Sequence, residues 1–387
     1  MATKNPKRHE KENPLFVAPV LCLLAFPVAN PARLTSRKAD FQKALARWYR
    51  AHARALPWRE APSLYKTVVS EFMLQQTQVK TVLPYFARWL GALPDFTALA
   101  GAPETRVLKL WEGLGYYSRA RNLHKLAQAV AALPTLPQTP EAWRELPGVG
   151  PYTAAAITSI SFGAPAAVVD GNVVRILARL TADDREFKDG TTAVKAFTTT
   201  ADALLPAANP GDHNQAMMEL GATICLRQNP LCALCPVADF CAARRTGAPE
   251  RYPRLAPKKI EQVAVTRIWC EQSGRLLLHR ADARARRLAH QHELPTAEQL
   301  GVTEAAARRG PLLACKKRSI TRYRITESIH RLATPPTTLP AGLLWAPFAT
   351  LDAFTLSGPH RRWITEILAA RVPAPALPAQ QCLDPRL

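Results

Sequence analysis

The sequence predicts two folded parts, an all-α domain followed by an α+β domain, and three observations support this division. Apolar residues first recur at helical spacing, as at Phe41, Leu45, Trp48 and Tyr49. Residues 246–262 are then rich in proline, glycine and basic residues, which is typical of a linker. Beyond the linker, apolar residues alternate in short runs, as they do in strands. A chain of 387 residues is long enough for two or three domains.

Residues 35–245 form the predicted all-α domain, because helical periodicity is sustained there and alternating runs are scarce. After the first helix from residue 40, we expect helices over residues 65–77, 79–89, 104–110, 118–132, 140–146, 152–161, 172–182, 191–205 and 214–225. In the α+β domain, residues 263–371, we expect strands over 262–271 and 274–280 around a turn, further strands over 323–332 and 343–346, and a closing helix over 359–371.

The two ends of the chain are expected to lie outside these domains. Residues 1–34 place basic residues before an apolar stretch, but Pro19 and Pro27 interrupt that stretch. We therefore interpret residues 1–34 as a disordered extension, or as the result of a start codon placed too early, rather than as an export signal. Residues 372–387 are rich in proline and alanine and are expected to be a loose tail. No apolar run reaches the 18–20 residues of a membrane span.

The charge balance indicates a polyanionic partner. Lysine and arginine number 51 against 30 acidic residues, a formal net charge of +21. Nucleic acid is the more frequent partner of such a chain and an anionic membrane surface the less frequent one. Hydrophobic residues make up 48% of the chain, which excludes a wholly disordered protein.

Four of the eight cysteines lie within 17 residues and are candidate metal ligands: Cys225, Cys232, Cys235 and Cys241. A secreted disulfide scaffold would be shorter and would spread its pairs. Four thiolates suit tetrahedral zinc or a cubane iron–sulfur cluster, and the number of ligands does not separate the two.

A second motif combines a glycine-rich turn with a downstream aspartate. Gly148 and Gly150 allow a tight turn with exposed amides just before a helix, which favours an anion site for DNA phosphates. Asp170 directly precedes another helix, with Asn172 as a plausible cap. An ordinary turn and a simple capping aspartate are the alternatives.

Glu71 is the third candidate, because it lies in an otherwise apolar helical stretch. Such a carboxylate is often a partly exposed charge. If it is buried instead, its pKa rises and it can donate a proton near neutral pH.

Taken together, these motifs resemble the MutY family of adenine DNA glycosylases, in the endonuclease III or helix-hairpin-helix superfamily. The matching segments appear in family order and cover just over half the chain: 56–59, 70–77, 111–119, 146–154, 169–173 and the cysteine loop with its 6-2-5 spacing. The resemblance implies an all-α helix-hairpin-helix glycosylase module with a [4Fe-4S] cluster loop. It also implies an α+β Nudix-like C-terminal domain that recognises 8-oxoguanine. The partner would be double-stranded DNA with a mispaired adenine, bound by a monomer in a bacterial-type cytoplasm, at the nucleoid.

The resemblance also assigns roles to residues. Glu71 would protonate the adenine, Asp170 would stabilise the sugar cation, Tyr152 would hydrogen-bond within the site and Asn172 would orient the sugar or water. The remaining assignments concern DNA: Arg54, Leu56, Trp58 and Gln215 in the adenine pocket, Gln76 and Tyr116 as wedges in the base stack, and Arg227 on phosphate. Tyr152 stands where bifunctional relatives carry a lysine, and a phenol cannot form an imine, so we expect no true strand-cutting step.

The C-terminal domain departs from the family pattern. Residues 288–295 read LAHQHELP where relatives often have a Trp-Gly-Gly-type run before Phe-Pro, and Glu327-Ser-Ile329 replaces Phe-Ser-His on the lesion-reading loop, so that only Ser328 remains. No cluster of Nudix-box glutamates is visible, and nucleotide hydrolysis is not expected. Residues 275–324 are strongly basic, which favours general phosphate contacts. The alternatives are a superfamily glycosylase for T:G or U:G mispairs and a non-catalytic DNA-binding protein.

Overall fold

The computed structural model describes residues 31–257, 259–282, 291–320, 322–332, 334–336 and 338–370. Residues 1–30 and the predicted tail 372–387 therefore lie outside the described residues. The prediction of a disordered extension is wrong for residues 31–34, because they belong to the first helix and Leu34 is buried in the core. No helix among the described residues is long and apolar enough to cross a bilayer.

The first part of the chain is a helical domain that follows the predicted order. Its helices are α1 (Pro31–Ser36), α2 (Lys38–His52), α3 (Pro57–Glu60), α4 (Leu64–Leu74), α5 (Val79–Ala92), α6 (Phe96–Ala100), α7 (Glu104–Trp111), α8 (Ser118–Ala132), α9 (Pro140–Arg144), α10 (Pro151–Phe162), α11 (Gly171–Thr181), α12 (Gly190–Leu204), α13 (Pro210–Thr223) and α14 (Ala242–Arg245). The two-residue strand β1 (Glu186–Phe187) is the exception to the expected all-α composition.

This helical domain has two large apolar cores and a small cluster on α10 beside Val168. One core lies among α4–α8, where Trp89 and Trp111 pack edge to face at 5.6 Å. The other core lies among α2 and α11–α13 and extends to the cysteine loop through Phe41, whose ring is 5.6 Å from that of Phe240. Helix α10 packs on both α4 and α13, so it joins the two cores. A cleft between them is the natural place for a site, since side chains from both cores can reach it.

The predicted linker is partly folded onto the helical domain. β2 (Arg254–Leu255) pairs in parallel with β1. Tyr252 is buried in the second core, and its carbonyl accepts a hydrogen bond from Arg179 Nε at 3.3 Å. β3 already begins at Glu261. The basic, proline-rich composition of the linker predicted a solvated segment. Instead, Tyr252 and the strand β2 attach the linker to the helical domain.

The C-terminal part contains two small sheets and two helices. Its elements are β3 (Glu261–Trp269), β4 (Glu271–Gln272), β5 (Arg275–Arg280), β6 (His292–Glu293), α15 (Glu304–Arg308), β7 (Leu312–Ile320), β8 (Tyr323–Arg331), β9 (Leu343–Pro347) and α16 (Gly358–Ala369). One sheet has the order β3-β8-β7, and in the other β5 pairs with β4, β6 and β9. Trp363 and Ile364 of α16 pack against Leu276 and Leu278 of β5, which forms the core of this α+β region.

The predicted hairpin over residues 262–280 is correct only at its turn. Ser273 and Gly274 both have left-handed φ angles, 49° and 71°, as a type I′ turn requires. The long strand before the turn does not pair with β5. It pairs in parallel with β8, with Glu261 opposite Tyr323, and this pairing is too distant in sequence to leave a local signal.

Candidate active site and iron–sulfur loop

A cavity of about 570 Å³ opens between the two cores of the helical domain and is lined by eight of the predicted site residues. Four of its lining residues are the predicted catalytic set: Glu71, Tyr152, Asp170 and Asn172. The predicted pocket residues Arg54, Leu56, Trp58 and Gln215 also line it. The fold therefore brings together residues that are more than 160 positions apart in sequence.

Glu71 is buried, as its interpretation as a proton donor requires. It lies on α4, which Ser63 caps by accepting a hydrogen bond from the Lys66 amide, and it is only 7% exposed. Burial is the main reason why its pKa rises to about 7, and the nearby Asp170 charge adds to the rise. The hydrogen bond from Tyr152 and the Arg59 charge oppose the shift. Glu71 can therefore hold a proton at neutral pH and release it within the cavity.

Tyr152 lies beside Glu71 at the start of α10. Burial and the two neighbouring carboxylates raise its pKa well above the usual value, so the phenol stays protonated. Its hydroxyl hydrogen-bonds to Glu71 and is also 3.2 Å from Met218 Sδ. Tyr152 is thus a neutral donor that fixes the Glu71 carboxyl group.

Asp170 both caps a helix and faces the cavity, so the two interpretations of its role do not exclude each other. Its Oδ1 accepts hydrogen bonds from the amides of Asn172 and Val173 at 2.9 and 2.8 Å. Its Oδ2 accepts one from Asn172 Nδ2 at 2.9 Å. The amino end of α11 favours a negative charge at this position. The cap therefore holds a carboxylate oriented toward the cavity.

Glu219 on α13 is a site residue that the sequence reasoning missed. It is 1% exposed and accepts hydrogen bonds from Arg54 Nε at 2.6 Å and Arg59 Nη1 at 3.0 Å. Burial alone would raise its pKa, but the two arginines lower it below the usual value. Arg59 Nε also donates to Gln215 Oε1 at 3.2 Å. The sequence signal for Glu219 was of the same kind as that for Glu71, because Glu219 is a lone glutamate in the apolar run Met217–Leu220.

The two predicted DNA wedges lie outside the cavity, on neighbouring turns. Gln76 and Tyr116 are both exposed, Tyr116 by 50%, and both have left-handed φ angles, 56° and 47°. Between the turns lies Arg119, which is buried. It donates to the carbonyls of Gln75 at 2.7 Å and of Gly115 at 3.1 Å. One guanidinium therefore holds both turns.

The glycine-rich turn between α9 and α10 is confirmed at one of its two glycines. Gly148 has a φ of 75°, and a Cβ there would lie 2.4 Å from Asn122 Cβ. Gly150 has an extended backbone, and a Cβ there would meet nothing within 4 Å. The backbone therefore requires glycine at Gly148, while Gly150 is the extended N-cap residue of α10, and the role of both amides as a phosphate site stays a prediction.

The four clustered cysteines surround one small cavity beside Arg179. Arg179 is buried and donates to Leu226 O at 2.6 Å, while its Nη1 is 3.3 Å from Cys225 Sγ. Arg227 of the same loop is exposed and free to face a phosphate. A hydrogen-bond chain also leads from the site to this loop, because Arg175 donates to Asn172 Oδ1 at 2.9 Å and to Cys225 O at 2.8 Å.

The four cysteines line one cavity that could hold a cluster or a single zinc ion. Four sulfurs at 2.3 Å from a single zinc stand only about 3.8 Å apart. Within the described part of the chain, no three Cys, His, Asp or Glu side chains are grouped closely enough for one ion. The wall of the cavity that the thiols line also carries the buried Arg179, whose positive charge favours an anionic occupant.

Ser328 is not on a loop and is not near the cavity. It is half-buried in the middle of β8, opposite Thr266 of β3 and Cys315 of β7. Its neighbour Glu327 is fully buried and paired with Arg267 at 2.7 Å. The alignment with the lesion-reading loop of relatives is therefore wrong, since a paired strand cannot present this serine as a loop does.

Two family models match parts of the helical domain. Residues 69–197 match the HhH-GPD superfamily base excision DNA repair protein, and residues 225–241 match the iron–sulfur binding domain of endonuclease III. Residues 69–197 therefore resemble a helix-hairpin-helix base-excision repair module, and the cysteine loop matches a loop that binds an iron–sulfur cluster of the [4Fe-4S] type. This match favours the cluster over zinc as the occupant of the loop.

Within that superfamily the chain is similar to adenine DNA glycosylases, which confirms the MutY-type resemblance. It is 44% identical over 216 residues to the adenine DNA glycosylase of Homo sapiens, covering 53% of this chain and 39% of that protein. It is 40% identical over 225 residues to that of Schizosaccharomyces pombe, covering 52% and 49%. The chain thus spans about half or less of the length of these relatives. A solved thermostable thymine-DNA glycosylase is 26% identical, with a TM-score of 0.49, and covers 55% of this chain and 98% of its own.

Proposed function

We propose that the protein is a monofunctional adenine DNA glycosylase of base excision repair, which hydrolyses the N-glycosidic bond of adenine mispaired with 8-oxoguanine or guanine in double-stranded DNA. The observation that carries the proposal is the buried Glu71, whose pKa of about 7 suits a proton donor and whose carboxyl group faces Tyr152 in a cavity shared with Asp170. The similarity to adenine DNA glycosylases supports adenine as the base.

The reaction begins when the adenine leaves the duplex and enters the cavity, at an unpairing cost of about a few kcal/mol. Glu71 then transfers its proton to a ring nitrogen of the base. The bond from C1′ to the base breaks, and its electron pair leaves with the adenine, which departs as a neutral molecule. Without this proton the leaving group would be an anion in a poorly solvated cavity.

Asp170 stabilises the oxocarbenium-like sugar that remains. Its capping bonds hold the carboxylate in place without neutralising it, so its negative charge is available to the cationic sugar. A water molecule then adds to C1′, and the ionised Glu71 accepts the proton that this water loses. Asn172, bonded to Asp170 Oδ2, is placed to orient the sugar or the water.

Arg59, Gln215 and Glu219 form the polar end of the cavity and are placed to recognise the base. Adenine presents an amino donor and ring-nitrogen acceptors. Arg59 and Gln215 can supply donors for a ring nitrogen, while the fully buried Glu219 carboxylate holds Arg54 and Arg59 in place. A site of buried polar groups rejects a base that leaves those groups unpaired. Leu56 and Trp58 complete the wall with apolar surface.

The C-terminal region is proposed to be a Nudix-like domain that recognises the base opposite the adenine, without hydrolytic activity. Its placement after the iron–sulfur loop and its α+β architecture support this role. Because Ser328 lies within a strand, recognition would have to use other residues of this region. We further propose that the protein acts as a monomer in the cytoplasm, at the nucleoid.

Single-turnover assays on three otherwise identical duplexes test the proposed function. Each duplex carries one central pair, A:8-oxoguanine, A:G or T:G. We expect abasic product from the two adenine duplexes and none from T:G. Release of thymine with adenine left intact would reassign the protein to another mispair, and binding with no release from any duplex would make it a non-catalytic DNA-binding protein.

A further inference from the structure

The C-terminal domain meets the helical domain at the loop that carries the exposed Tyr116. This loop, residues 112–117, follows α7 and leads into α8. Gly113, Gly115 and Tyr116 all have left-handed φ angles, so the loop backbone is tightly turned. A contact that fixes the loop therefore also fixes the direction in which Tyr116 points.

Arg361 of α16 makes the central contact. Its Nε is 2.6 Å from Glu112 Oε1, the first residue of the loop. Within its own domain, Arg361 is held by Asp352 Oδ1 at 2.8 Å and by Phe354 O at 2.6 Å. Glu112 Oε2 also accepts from Lys109 Nζ at 2.7 Å. Arg361 and Glu112 are 23% and 10% exposed, so water screens this pair less than a surface ion pair.

Tyr117 makes a second contact at the other end of the loop. Its buried hydroxyl donates to Leu356 O at 3.2 Å and accepts from the Gly113 amide at 3.4 Å. Gly358, the first residue of α16, lies next to the loop, since a Cβ on it would be in ordinary van der Waals contact with Gly113 Cα at 3.6 Å. The C-terminal domain thus touches the residues on both sides of Tyr116.

Contacts inside the helical domain hold the rest of the loop. Arg119 donates to the carbonyls of Leu114 and Gly115, both at 3.1 Å. The ring of Tyr116 lies 5.6 Å from the Arg119 guanidinium and is half exposed. The backbone of loop 112–117 is therefore held by contacts from both domains, while the side chain of Tyr116 points toward solvent.

We propose that Arg361 is a positioning residue which, through Glu112, couples the C-terminal domain to Tyr116. The position of the C-terminal domain on the DNA then sets how Tyr116 enters the base stack beside the mispair. This proposal rests on the proposed function, because it takes Tyr116 to insert into damaged DNA. Beyond that function, the proposal names the contact between Arg361 and Glu112 as the means by which the base opposite the adenine influences excision.

The test uses the full-length protein with the variants Arg361→Gln, Glu112→Gln and the double variant. Arg362→Gln is the matched control, because Arg362 is the next residue of α16, is exposed, and pairs only with Glu366 of its own helix among the described contacts. Two readouts are measured: kcat/KM for the A:8-oxoguanine and A:G duplexes, and the fluorescence of 2-aminopurine placed beside the mispair. The fluorescence reports unstacking by the inserted side chain.

We expect each single variant to lower the ratio of the two kcat/KM values about tenfold, in the range of a partly buried charge pair. The double variant should lose less than the sum of the two single losses, since both single variants remove the contact between Arg361 and Glu112 and each also loses contacts of its own. The 2-aminopurine signal should fall in parallel, and the Arg362 variant should match wild type. An unchanged ratio, an equal loss on both duplexes, or additive effects in the double variant would overturn the proposal.

A separate measurement distinguishes failure of this coupling from failure of the proposed function. If wild type releases no adenine from either duplex, the proposed function fails, and amide hydrogen exchange of the DNA-free protein decides the coupling alone. Faster exchange over residues 112–117 in the Arg361 variant than in the Arg362 control supports it. Equal exchange in the two variants contradicts it.

Discussion

Replacing Glu71 by glutamine should make the protein more stable at alkaline pH. A buried carboxyl group whose folded pKa is about 7, against 4.5 for the free group, resists ionisation in the folded state. The unfolded chain ionises first as the pH rises, so stability falls between pH 4.5 and 7. The full loss is about 3 kcal/mol, from 2.5 pH units at about 1.4 kcal/mol each. Glutamine does not titrate and escapes this loss.

Thermal unfolding at pH 5 and pH 8 measures the effect. Relative to wild type, Glu71→Gln should gain about 2.5 kcal/mol more at pH 8 than at pH 5. For a module of this size that corresponds to roughly 5–10 °C in melting temperature. The Glu219→Gln variant is the opposite control. Arg54 and Arg59 lower the pKa of Glu219, so removal of the Glu219 carboxylate should destabilise the protein at both pH values.

Two results would refute this reasoning. If Glu71→Gln kept the same pH dependence as wild type, Glu71 would not carry the raised pKa. If Glu219→Gln also gained stability at pH 8, the gain would come from removing any buried charge rather than from the particular environment of Glu71. The expected pattern is a stability cost that the fold carries for the sake of a proton donor.

Three further predictions concern chemistry. Glu71→Gln should slow adenine release about 10²–10⁴-fold while duplex binding, measured by gel shift, stays within a few fold; rapid release would show that another group donates the proton. Wild type should leave an intact strand with an abasic site, and borohydride should trap little covalent enzyme–DNA adduct. The Tyr152→Lys variant should form an imine with the sugar and so give a trapped adduct. Lys80 lies at the cavity edge, so Lys80→Gln should remove any slow background strand cutting. Strand cutting in step with base release would refute the role of Tyr152. Metal analysis after anaerobic purification should find about four irons per chain, and one zinc without iron would contradict the cluster.

The proposed catalytic pair could be predicted from the sequence because each residue leaves a local signal. Glu71 is a charge in an apolar helical run, and Asp170 precedes Asn172 at the start of a helix. Glu219 leaves a similar signal, but its importance depends on Arg54 and Arg59, which are more than 150 residues away. Only the fold reveals that these three charges meet.

The C-terminal domain was harder to predict for a related reason. The pairing of β3 with β8 is parallel and joins residues about 60 positions apart, so neither strand indicates its partner. β7 was missed because its polar residues, among them Lys316 and Lys317, hide a strand pattern. The same long-range pairing places Ser328 inside a sheet, where an alignment of short motifs had placed it on a loop.

The most direct test of the central claim, that a protonated Glu71 drives adenine release, is the pH dependence of the single-turnover excision rate on an A:8-oxoguanine duplex. The account predicts a plateau below about pH 7 and a tenfold fall for each pH unit above it, as the proton is lost. In Glu71→Gln the residual rate should lose this fall. A wild-type rate that stays constant to pH 9 on bound DNA would contradict the account.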